Sequence, residues 1–142
     1  MNHDPVFRFS GHFDDEYLQE LYENNIEYVI DLFETFCDII TGKLQNIEAH
    51  LESAEWEHAS FSLNRFRENL YMVGLTSSGQ EMRHIEQQVF ALTHQPRKEI
   101  IDTASIVMAF RRIHIEVLAH LPYFREEIAR MKVYLSHPQR QG

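Results

Sequence analysis

The feature that most constrains this chain is a rhythm of large apolar side chains at steps of three and four, running from residue 26 to residue 135. Ile26, Val29, Phe33, Phe36, Ile40, Leu44, Ile47 and Leu51 form the first stripe. Trp56, Ala59, Leu63, Phe66, Leu70 and Val73 form the second, and Met82, Ile85, Val89 and Leu92 the third. Val107, Phe110, Val117, Leu121, Phe124, Ile128, Met131 and Leu135 form the last. Such steps put one apolar face on a helix, whereas a strand repeats every second residue. Five glycines and four prolines in 142 residues leave few places to break the pattern. The expectation is an all-α fold, an antiparallel four-helix bundle with one core, in a chain long enough for one domain and too short for two.

Punctuation sets the boundaries. Residues 1–13 read as an arm that Phe7, Phe9 and Phe13 could anchor, and residues 14–136 as the bundle, with a tail at 137–142. Asp14 suits the N-cap of a short first helix, ended by Glu-Asn-Asn at 23–25. The second helix spans about 25–51 and carries Gly42, a residue that costs about 1 kcal/mol against Ala in a helix interior. The third begins near Ala54 to Trp56 and stops at Gly74. Thr76-Ser77-Ser78-Gly79 reads as the turn before the fourth, and Thr93-His94-Gln95-Pro96 breaks the pattern again. The last helix is long, about 97–135, with a kink at Pro122 because the rhythm resumes without a slip.

Charge and composition narrow the function. Thirteen Lys and Arg against 22 Asp and Glu give a net charge of −9, which repels nucleic-acid phosphates and anionic membrane surfaces. The opening residues lack the basic and apolar regions of a secretory leader, and no apolar run is of membrane-spanning length, so a cytoplasmic protein is expected. The single cysteine, Cys37, lies within an apolar stripe and reads as a buried, inert thiol. No Gly-rich phosphate loop, Cys-x-x-Cys pair or nucleophile elbow is present, and neither an enzyme nor a cofactor is expected. Two Glu-x-x-His pairs, Glu55/His58 and Glu81/His84, have the spacing of a two-metal bundle site. Each is offset from its apolar stripe, so a metal centre is not the expectation.

Opposite its buried stripe, the third helix carries Ser60, Asn64, Arg67, Glu68 and Tyr71 at helical steps, a polar face expected to be exposed, with Arg65 beside it. The run Leu63 to Leu75, "LNRFRENLYMVGL", resembles the active-site helix of histidine-containing phosphotransfer (HPt) domains. There a His-x-x-Lys is followed by a small residue and a Val/Leu-Gly turn. "YLQELYENNIEYVIDLFETF", "EAHLESAEWEHAS", "HIEQQ" and "LPYFREEIARMKVYL" resemble other helices of the same family. The resemblance implies an HPt-like bundle and a place in two-component signalling, with a response-regulator receiver domain or a histidine kinase as partner. It puts Asn64 at the position of the phospho-accepting histidine and Arg67 at the lysine. Glu68 stands where the family has a small residue.

An Asn amide is not a nucleophile near neutral pH, because its nitrogen lone pair is delocalised into the carbonyl. The resemblance therefore implies a phosphorelay-related protein that cannot take the phosphoryl group. It would act as competitor or adaptor through Asn64, Arg65, Arg67, Glu68 and Tyr71. Arg65 and Glu68, three apart, could also pair with each other. Other readings are an interaction bundle with an unrelated partner and phosphotransfer through His58 or His84. His58 lies ~9 Å along the helix from Asn64. His114, beside the apolar stripe, reads as a hydrogen-bonded, half-buried residue.

Overall fold

Among the described residues six helices form: α1 (Asp15–Tyr22), α2 (Ile26–Glu52), α3 (Trp56–Met72), α4 (Thr76–His94), α5 (Thr103–Ala119) and α6 (Leu121–Ser136). The structure is a computed structural model that describes residues 6–94 and 102–137. The expected break at Pro96, the expected helix start near Arg97 and the tail after residue 137 lie outside the described residues. Among those described, every regular element is helical and no strand occurs. The longest helix, α2, packs against α3, α5 and α6, while α4 packs against α3 and α5. All eight residues of the first apolar stripe are buried between them, with Leu63, Phe66, Leu70, Met82, Ile85 and Val89.

The turn between α3 and α4 is fixed by residue chemistry. Leu75 donates its N–H to the Leu70 carbonyl at 2.9 Å and Gly74 donates to Tyr71 at 3.0 Å, closing a Schellman cap. That cap needs a left-handed residue, and Gly74 supplies it at φ +79°. The same pattern ends α2, where Glu55 donates to His50 and Ala54 to Leu51, but there Ala54 takes the left-handed position at φ +57°. Because Gly74 already makes the reversal, Thr76-Ser77-Ser78-Gly79 is not the turn that its composition suggests. It forms the first turn of α4. Gly79 is small because the Tyr71 ring lies over it, 3.0 Å from where a Cβ would stand.

Asp14 ties α1 to this turn. Its Oδ1 accepts from the Tyr17 amide at 3.1 Å as the expected N-cap, and its Oδ2 accepts from the Thr76 hydroxyl at 2.9 Å. Its own N–H donates to the Gly74 carbonyl at 2.9 Å.

Where one kinked helix was expected after Pro96, the structure has α5 and α6 meeting at His120. Pro122 has no N–H to offer the ladder and sits in the first turn of α6, where none is needed. The core stripe passes the break in register. Phe110, Val117, Phe124 and Met131 are buried at seven-residue steps, joined by Ile106 and Ile113. The expected Val107, Leu121, Ile128 and Leu135 lie on its flank, half-buried.

One member of the seam is charged: Glu127 is 1% exposed. Its carboxylate accepts from the Ser10 amide at 2.7 Å and from Arg130 at 2.5 Å. Arg130 in turn donates to the Arg8 carbonyl at 3.0 Å and lies 4.8 Å from the Phe7 ring centre. Residues 6–13 of the arm are thus seated, as Phe7, Phe9 and Phe13 suggested, with all three rings buried, while residues 1–5 lie outside the described residues. Phe13 meets Phe33 and Phe124 at 5.3 and 5.0 Å.

Candidate functional site

Asn64 and Arg67 are one turn apart on α3, and both turn toward α4 rather than into solvent. The Asn64 amide donates to Glu86 Oε1 at 2.8 Å, and Arg67 Nε donates to Glu86 Oε2 at 2.7 Å. One carboxylate thus holds both side chains, and the Arg67 and Glu86 side chains are only 22% and 18% exposed. The Glu86 hydrogen bond pushes the Arg67 pKa up. Partial burial opposes it, while the charges of Glu86, Tyr71 and Glu68 add to it. Arg67 is a fixed cation at every physiological pH.

The polar face expected on α3 is therefore only partly a face. Asn64, Arg67 and Tyr71 are half-buried, Tyr71 because its ring covers Gly79 and approaches Tyr17 with centroids 6.3 Å apart. Ser60 is half-buried as well, and Glu68 is exposed. Arg65 is exposed but turns to the other flank of α3, where its guanidinium lies 5.5 Å from the Phe61 ring centre. Among the described residues it forms no pair with Glu68.

Residues that sequence reading left out complete the site. Glu86 is the hub, and Ser60, Arg67, Arg83, Glu86, Gln87 and Phe90 line a cleft of about 440 Å³ between α3 and α4. A register signal for Glu86 was present. Helices joined by a tight turn run antiparallel, and Asn64 and Glu86 each lie eleven residues from Leu75. The mirror position of Asn64 about the turn is thus the residue that binds it.

The histidines divide by environment. His114 is half-buried, with Nδ1 3.0 Å from Glu48 Oε1, as expected. His58 is exposed and stacks on His50 with centroids 5.3 Å apart, while His50 Nδ1 lies 3.0 Å from Glu55 Oε1. His84 is exposed on α4, two residues before Glu86. Among the described residues no three His, Cys, Asp or Glu side chains gather as a metal would require. Cys37 is half-buried. Burial pushes its thiol pKa up, with Asp38 and Glu34 adding to the shift and Arg125 opposing it, so the thiolate is scarce.

Chemically, the Asn64–Arg67–Glu86 cluster offers a fixed cation, an amide and a carboxylate that are already bonded to one another. It has hydrogen-bonding capacity and no activated nucleophile. No helix among the described residues is long and apolar enough to cross a membrane. Compared with protein-family models, curated proteins and solved structures, the chain matches none of them.

Proposed function

We propose that the chain is an HPt-like antiparallel four-helix bundle without the phospho-accepting histidine. In the cytoplasm it would occupy a receiver-domain or histidine-kinase surface as competitor or adaptor, with no phosphotransfer. The observation that carries this reading is the Asn64–Glu86–Arg67 cluster. The α3 position that the resemblance assigns to the phospho-histidine holds an amide, and the cation three residues on is retained and fixed in place. Contacts of α2 with α3 and α5, and of α4 with α3 and α5, support the bundle, with α5 and α6 as the bent final segment.

Mixing the protein with a phosphorylated receiver tests the chemistry. No acid-labile label should appear on the wild type, and a stable label on His58 or His84 would refute the reading. Asn64→His should gain a label, because Glu86 stands ready to accept a hydrogen bond from the new imidazole and Arg67 to balance the phosphoryl charge. Calorimetry with receivers tests the binding, which Arg67→Ala should weaken about tenfold if a fixed charged contact is lost. An unrelated partner is the second reading, favoured by the exposed Glu68 beside the cluster. It predicts partner binding that is indifferent to Arg67→Ala.

A further inference from the structure

We infer that the cleft between α3 and α4 is a docking pocket for an acidic side chain of the partner protein, flanked there by an apolar residue. The inference deepens the proposed function and rests on it for the partner, a receiver or kinase surface. It assigns the contact to Arg83, Gln87 and Phe90 on α4 together with Arg67.

The charge of the cleft runs against that of the chain. In a protein of net charge −9, two arginines and one glutamate line this pocket. Arg67 meets Glu86 through Nε, and among the described residues its two terminal Nη groups form no further bond, which leaves them to a second carboxylate. Arg83 is exposed, and among the described residues it forms no ion pair or hydrogen bond. The two cations, Arg67 from α3 and Arg83 from α4, therefore offer N–H donors from both sides of the cleft. Because Glu86 already holds Arg67, little side-chain freedom is lost when a ligand binds.

Phe90 forms the apolar end. It is 54% exposed, yet its ring is held by a stack on His94, with centroids 3.8 Å apart and planes 13° apart. Aromatic residues, Phe among them, and arginine are enriched at protein interfaces, and a ring already held in place loses little freedom there. A volume near 440 Å³ takes one or two side chains. With Arg67 already paired to Glu86, the lining carries a net charge of +1, which the single charge of an Asp or Glu side chain balances and a phosphate dianion exceeds. Arg65 and Phe61 lie on the opposite flank of α3, in a separate groove with Lys43 and Asn46, and do not reach this pocket.

Amide chemical shifts of the labelled full chain provide the test. The probes are a short peptide with an Asp-Asp-Leu-Phe core, its Asn-Asn-Leu-Phe twin, and inorganic phosphate. The Asp peptide should move the amides of Ser60, Arg83, Gln87 and Phe90, and the twin should bind at least tenfold more weakly. Arg83→Ala and Phe90→Ala should each weaken the Asp peptide about fivefold or more. Arg125→Ala, an exposed cation on α6, should leave it unchanged. Equal binding of the two peptides, shifts confined to other helices, or phosphate moving the same amides at lower concentration would overturn the inference. Receivers run in parallel separate the two ideas. Receivers that bind without regard to Arg83 and Phe90 would overturn the pocket and leave the proposed function standing. A peptide seated here while every receiver fails would uphold the pocket and refute the partner.

Discussion

Replacing Glu127 should loosen the arm without touching the α3–α4 cleft. In Glu127→Ala the Ser10 amide loses a charged acceptor at 2.7 Å, a bond worth about 1.5–3 kcal/mol. The pair with Arg130 adds at most about 1 kcal/mol, because the Arg130 side chain is 48% exposed and rehydrates when released. The expected loss is about 3 kcal/mol, or roughly a 10 °C fall in Tm for a domain of this size. Glu127→Gln keeps an acceptor for Ser10 and gives up only the charge, so about 1 kcal/mol should go. Denaturant unfolding measures the two losses, and hydrogen exchange at the Ser10 amide locates them. Ser10 protection should collapse in the Ala variant while amides in the middle of α2 fall only with global stability. A Glu127→Ala protein within 0.5 kcal/mol of wild type, or one whose Ser10 amide stays protected, would refute the idea that this carboxylate seats the arm.

Three other perturbations check the physics elsewhere. Gly42 is exposed within α2 and a Cβ there would meet nothing within 4 Å, so Gly42→Ala should raise stability by about 1 kcal/mol in chemical denaturation. The Tyr22 hydroxyl donates to the Met72 carbonyl at 2.6 Å, and burial, with the Tyr28 and Tyr17 charges adding, pushes its pKa up to about 12. The folded protein thus holds this proton more tightly than the unfolded chain, so the stabilisation is intact below pH 10 and fades between 10 and 12. Tyrosinate absorbance should show one late-titrating group that Tyr22→Phe removes. The Asp15 pKa is lowered: burial acts to raise it but is outweighed by hydrogen bonds from Gln19, the Phe9 amide and Arg8. Its contribution is full above the ordinary carboxylate range and is lost as pH falls through the lower folded value, so Asp15→Asn should flatten the acid limb of the stability curve.

The legible parts of the fold were those where one local rule acts alone. The α2 stripe is buried residue for residue, Asp14 caps α1, and Gly74 closes α3, because periodicity and cap chemistry need no knowledge of neighbours. The misread parts depend on a second element. Thr76-Ser77-Ser78-Gly79 has turn composition, but Gly74 and the Tyr71 ring make it a helix start. Asn64, Arg67 and Tyr71 lie opposite the stripe on α3 as expected, yet α4 covers part of that side. A single-helix projection has no means of showing this. The cluster itself became visible only with the α3–α4 register, which brings Glu86 to Asn64.

The clasp of the arm onto α6 spans 117 residues of chain from Ser10 to Glu127 and 122 from Arg8 to Arg130. During synthesis the three phenylalanines of the arm leave the ribosome well before any part of α6 exists to receive them. Their contacts with Phe33 on α2 can form earlier, but the clasp onto Glu127 and Arg130 must wait, and the entropy of so large a loop is overcome only once α2 to α5 have already drawn its ends together. The clasp of the arm onto α6 should therefore close late in the folding reaction. Its contacts should also be missing from the transition state, so weakening them should speed unfolding and barely slow folding.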